Sequence, residues 1–180
     1  SWNAGFHSNP SEHPSWPSYS ANRVVLPANS LVTMTIIAYD SGEKLNNPYF
    51  GRVIGTTDDN GVANNAATYD GKLLTNLPYD QVEHTFSIHS YPNAATTPIF
   101  LNVPLPVNTD DEMKTYNDKF AQKADPSILP TGHTVTFSFI TGSKGEYVWN
   151  CEYPCGDKSY RGFGAVMGQE GYMTGKVSVI

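Results

Sequence analysis

The chain has 180 residues, the length of one ordinary domain with room for an elaborated loop or tail. Its formal net charge of −6 speaks against nucleic acid as the main partner, since phosphate binding needs a basic stripe. No apolar run approaches the roughly 18–20 residues of a membrane-spanning helix. With 11 Tyr, 8 Phe and 3 Trp there is enough aromatic bulk for a packed core, which excludes a disordered chain.

The first 22 residues contain three Pro and six Ser and no hydrophobic period. They read as an irregular arm that lies across the domain through Trp2, Phe6 and Trp16, with the domain proper spanning residues 23–180. Residues 24–26 and 31–39 are β-branched or apolar runs broken by Pro27 and Asn29, hence two strands. Residues 51–55 offer a short strand. Residues 56–80 are rich in Asp, Asn and Gly and read as a long excursion with at most short hairpins, Asp58-Asp59-Asn60-Gly61 being a turn. The remaining strands are expected at 83–89, 98–103, 133–140, 146–151 and 172–180. Thr109-Asp110-Asp111-Glu112 is a capping-box pattern, which predicts a helix to about residue 124, where Pro126 stops it. Seven or eight strands with one inserted helix around 110–124 make an all-β Greek-key sandwich or small barrel.

Strand parity predicts which side chains share a face. In residues 135–139 the odd positions are apolar, so Val135, Phe137 and Phe139 face the core and His133 follows them. Tyr147, Trp149 and Cys151 share the core face of their strand. The short connection at 141–145 makes these two strands antiparallel neighbours, with His133 and Cys151 at the same open end. His84 points inward with Phe86 and Ile88, and Met173 with Val177 and Val179, while His89 points outward into solvent. An imidazole, a thiolate and a thioether on core faces form a soft, copper-suited ligand set if the strands converge without a bulge.

Three segments then carry a resemblance. Glu83-His84-Thr85-Phe86-Ser87-Ile88, Gly145-Glu146-Tyr147-Val148-Trp149-Asn150-Cys151 and Met173-Thr174-Gly175-Lys176-Val177-Ser178-Val179 resemble the cupredoxin pattern. The opening strand, Leu26 through Ile36, is similar to a cupredoxin first strand. Cys151-Glu152-Tyr153-Pro154-Cys155-Gly156 is similar to the two-cysteine loop of cytochrome c oxidase subunit II domains. The resemblance covers roughly residues 23–180, with 40–79 and the helix as insertions. It implies a cupredoxin-like sandwich with His84 as the nitrogen ligand, Cys151 as the thiolate and Met173 as the weak axial ligand of one copper ion. A blue-copper site also needs a second histidine between the cysteine and the methionine, and none stands between Cys151 and Met173. The dinuclear loop needs one where this chain has Ser159. Cys155, His133 and Met167 are the available substitutes.

Two function classes follow. The first is an exported copper protein for electron transfer or for copper holding and delivery, working beside a respiratory-chain protein or a membrane oxidase complex. The second is a copper-free structural or accessory subunit in which Cys151 and Cys155 form a disulfide across their tight loop. Carbohydrate binding through exposed Tyr and Trp is a third and has only the sandwich class behind it. The low charge, the Asn/Ser/Thr-rich composition and Ser1 in place of Met point to an extracytoplasmic, processed chain. No hydrolase, phosphate-loop or zinc-protease motif is found, so an enzyme is not expected.

Overall fold

A computed structural model of the chain describes residues 17–19, 23–41, 47–91, 99–115, 132–153 and 170–180. In chain order its strands are β1 (Arg23–Leu26), β2 (Leu31–Ala38), β3 (Ala67–Tyr69), β4 (Lys72–Leu74), β5 (Val82–Ser90), β6 (Phe100–Pro106), β7 (His133–Ile140), β8 (Gly145–Asn150) and β9 (Thr174–Val179). They form two sheets, ordered β1-β9-β8-β5-β6 and β2-β7-β3-β4. β1 runs parallel to β9, and the other named pairs are antiparallel. The chain changes sheets repeatedly, as a Greek-key sandwich requires, so the all-β expectation holds.

Parity explains the core. Val135, Phe137 and Phe139 of β7 face Phe86 and Ile88 of β5 and Tyr147 and Trp149 of β8, all buried. Phe86 stacks on Trp149 at 5.9 Å and meets Phe137 across the sheets at 6.2 Å between ring centroids. Each such side chain, fully buried, stabilises the fold by about 1.5–3 kcal/mol. Tyr69 of β3 adds a tie between the sheets, its hydroxyl donating to the Pro104 carbonyl of β6 at 3.1 Å.

One inference about neighbours is corrected. β7 and β8 lie in different sheets, because residues 141–144 cross the sandwich rather than fold back as a hairpin. Thr141 fixes that crossing: its N–H donates to Ser30 O at 2.9 Å and its hydroxyl to Pro27 O at 2.6 Å. The β1–β2 and β7–β8 crossings are thereby stitched together and close one end.

The expected strand at 51–55 is also corrected. A 3-10 turn (Pro48–Gly51) precedes it, and the chain then makes single bridges, Ile54 to Asn102 of β6 and Thr57 to Ser138 of β7. Gly55, at φ +79, provides the bend that carries the segment from one sheet to the other, so no strand can propagate there. The excursion at 56–80 does contain a hairpin, β3–β4, turning at Asp70 and Gly71, both with positive φ. Residues 58–61 form the expected turn, with the Asp58 carboxylate accepting from the Asn60 and Val62 amides, each at 2.9 Å.

The helix opens as expected and is described over 110–115; its continuation lies outside the described residues, as do Trp2, Phe6 and Trp16 of the arm. The capping box is formed. The Thr109 N–H donates to Glu112 Oε2 at 2.6 Å, and the Glu112 N–H donates back to Thr109 Oγ1 at 3.3 Å.

Candidate metal centre

The end opposite the stitched crossings gathers the chemistry. Register places it there: Asn150 pairs with Thr174, so Cys151 and Met173 come next to each other, and the Cys151 N–H donates to the Met173 carbonyl at 2.9 Å. Ser87 pairs with Asn150, which brings Thr85 level with Glu152 and within reach of the Cys151 sulfur. Cys151, Tyr172 and Met173 form one fully buried cluster, with Tyr19 and Tyr153 packed against it. Cys151 and Met173 are brought together by packing, while His84 adjoins Thr85, whose amide reaches the Cys151 sulfur. Cys155 and Met167 lie outside the described residues.

The Cys151 sulfur is surrounded by donors. The Thr85 amide reaches it at 3.3 Å and the Thr85 hydroxyl at 3.8 Å, with His84 as a further partner. The Glu152 amide donates to Thr85 Oγ1 at 2.8 Å, so that oxygen's own hydrogen is left to point at the sulfur. Donors converging on sulfur offset part of what burial costs a thiolate, the form that binds metal.

His84 is buried beside the Asp40 carboxylate. Its Nε2 lies 2.8 Å from Asp40 Oδ2, just past the end of β2. Burial alone would lower its pKa. The bonds and charges of Asp40 and Cys151 outweigh that and push it up to about 10. Burial likewise acts to raise the Asp40 pKa, and the His84 bond overcomes it and holds the carboxyl below its ordinary value. β5 is irregular here, its register with β6 shifting between Val82 and His84. Consequently Glu83 and His84 are both buried, and Asp40, Glu83 and His84 each offer a ligand atom within 4.8 Å of the others.

His133 reaches the same end, as expected, but other groups hold it. Its Nδ1 lies 2.8 Å from Asp70 Oδ2 in the β3–β4 turn, and its Nε2 3.5 Å from Glu112 Oε2 at the helix start. It joins the helix to the sheet and does not meet Cys151. His89 points outward but is not simply solvated, since its Nε2 lies 2.9 Å from Asn150 Oδ1.

Sequence reasoning missed Asp40, Thr85 and Tyr19. Tyr19 crosses the end of the sandwich, its hydroxyl donating to Thr85 O at 2.9 Å and its ring 4.8 Å from that of Trp149. Asp40 and Tyr19 are non-local partners with no periodic signal. Thr85 follows His84 and was legible only as a strand residue.

An imidazole, a donor-surrounded thiol and a thioether, all buried, are donor types that suit Cu(I), while the group whose ligand atoms lie within 4.8 Å of one another among the described residues is Asp40, Glu83 and His84. The first three leave room in the donor set for a fourth ligand, which is not found among the described residues. Among those residues no helix is long and apolar enough to cross a membrane.

No protein-family model matches the sequence, and no curated protein sequence matches it. Among solved structures the chain is similar to a dithionite-reduced auracyanin from the photosynthetic bacterium Roseiflexus castenholzii. The identity is 12%, the TM-score 0.35, and the overlap covers 91% of this chain and 87% of the auracyanin. An auracyanin B structure matches at 14% identity and a TM-score of 0.32, over 91% and 80% of the two chains. Both overlaps are too loose to add to what the chain's own geometry says.

Proposed function

We propose that this chain is a cupredoxin-like copper protein that holds one ion through His84, Cys151 and Met173, for one-electron transfer or for copper holding and delivery. The observation that carries the reading is the buried Cys151 sulfur, packed with Met173 and held at 3.3 Å by the amide of Thr85, the residue next to buried His84. Bound copper would supply the one-electron couple. The chain's own part is to keep the sulfur anionic, orient the imidazole and exclude water. Thr85 serves the first, Asp40 the second, and Tyr19, Phe86, Trp149 and Tyr172 the third. The export expected from composition, and a partner in a respiratory chain or membrane oxidase, belong to the same proposal.

The test is titration of anaerobically reduced protein with Cu(II), read by visible absorption, together with Cu(I) competition against a chromophoric chelator. One equivalent should bind, and Cys151→Ala should abolish both the thiolate-to-copper band and the Cu(I) affinity. No binding in either assay would overturn the reading and leave the copper-free accessory sandwich.

A further inference from the structure

We propose that Asp40 is a positioning residue for the copper centre, holding the His84 ring by Nε2 so that Nδ1 is the nitrogen presented to the ion. The inference rests on the copper reading and deepens it. The Asp40 Oδ2 atom lies 2.8 Å from His84 Nε2. A carboxylate there is an acceptor only, so it holds the Nε2 hydrogen, and Nδ1, whose proton an arriving ion displaces, is the nitrogen left for a metal. Carboxylate–histidine–metal chains of this kind fix both the tautomer and the ring rotation, and raise the ligand's basicity.

Asp40 is itself fixed, although its side chain is 46% exposed. Its Oδ1 accepts the Ser41 amide at 2.8 Å. Its carbonyl accepts the Asn108 amide at 3.0 Å, and the Asn108 side-chain amide donates to the Tyr39 carbonyl at 2.8 Å. Asn108 is buried and immediately precedes the helix cap. Residues 39–40 are thus clamped from the β6–helix connection, and the carboxylate's place does not depend on a mobile side chain alone. Asp40 also lies in the group with Glu83, so direct coordination by Asp40 is the rival role.

Asn and Ala at position 40 separate the two. Asp40→Asn keeps an oxygen that can accept from Nε2–H, whereas Asp40→Ala keeps nothing. Cu(I) competition against a chelator should show Asp40→Ala weakened about 10–100-fold and Asp40→Asn close to wild type. In the metal-free proteins, side-chain 15N NMR of His84 should show a hydrogen-bonded Nε2–H shared by wild type and Asp40→Asn and lost in Asp40→Ala. Equal loss of affinity in both variants would overturn the proposal in favour of direct coordination. An unchanged His84 spectrum in Asp40→Ala would overturn it outright. If wild-type protein binds no Cu(I), the copper reading fails, and the NMR comparison still decides whether Asp40 orients the ring.

Discussion

Thr85 carries more of the centre than its place beside His84 announces. It is fully buried, and its hydroxyl both accepts the Glu152 amide and faces the Cys151 sulfur. Replacement by Val keeps the shape but leaves that amide without its acceptor inside the protein. The bond is part-buried, and losing it costs about 0.5–1.5 kcal/mol. Thr85→Val should therefore lower the urea-unfolding free energy of the metal-free protein by about that amount, and Thr85→Ser should recover most of it. The backbone donation from Thr85 N–H to sulfur survives both changes. A Val variant as stable as wild type would show that the hydroxyl does not secure the loop after Cys151. Residues of this sort were invisible in the sequence because their partners are distant: Thr85 to Glu152 and Asp40 to His84 each span dozens of positions, and no spacing rule marks them.

Among the elements, alternation was legible wherever one face alone is buried. β7 and β8 follow it, and Cys151 was placed from it correctly. In β5 it placed His84, Phe86 and Ile88 inward, but the strand is covered on both faces from Val82 to Ile88, so alternation did not show that Thr85 and Ser87 are buried as well. The pairing of β7 with β8 failed for another reason: a four-residue connection can cross between sheets as readily as turn within one. The β3–β4 hairpin is one of the short hairpins allowed in the excursion, turning at Asp70-Gly71 with three residues in each strand. That turn and the Gly55 bend can be weighed against each other by substitution. A methyl at Gly71 meets nothing within 4 Å, so Gly71→Ala should cost only the left-handed backbone penalty, about 1–2 kcal/mol. At Gly55 the backbone is similarly left-handed, but a methyl would also run into the Phe100 carbonyl of β6. Adding the overpacking cost, Gly55→Ala should destabilise by about 2–5 kcal/mol. Equal effects in chemical denaturation would mean that the segment bridging the sheets is loose enough to move aside.

Across the whole molecule the two ends of the sandwich are chemically unlike. The closed end is stitched by neutral groups, the Thr141, Ser30, Pro27 and Asn29 contacts, and nothing in that stitching titrates. The open end is held by ionisable ones: Asp40 with His84, and His133 between Asp70 and Glu112. The alkaline dependence of stability should therefore run through the open end, whereas on the acid side Asp58, in the turn packed at Ile140, contributes as well. Asp40, Asp70 and Glu112 all have carboxyl pKa values held below normal in the fold. Their stabilisation is present above the unfolded carboxylate range, near pH 4, and is lost as the pH falls through the lower folded values. His84 works in the opposite sense. Its pKa is raised to about 10 in the fold against an ordinary 6.5, so its contribution is complete below about pH 6.5 and drains away as the pH rises towards 10. Metal-free reduced protein should accordingly show its highest denaturation midpoint between about pH 4 and 6.5, with a long alkaline decline that His84→Gln flattens. Hydrogen exchange should locate the decline as well. Amides of Thr85 and Cys151 should lose protection as the pH is raised, beyond the intrinsic acceleration of exchange, while Thr141 and Ile180 at the stitched end keep theirs. Uniform loss at both ends would refute an alkaline opening confined to the centre.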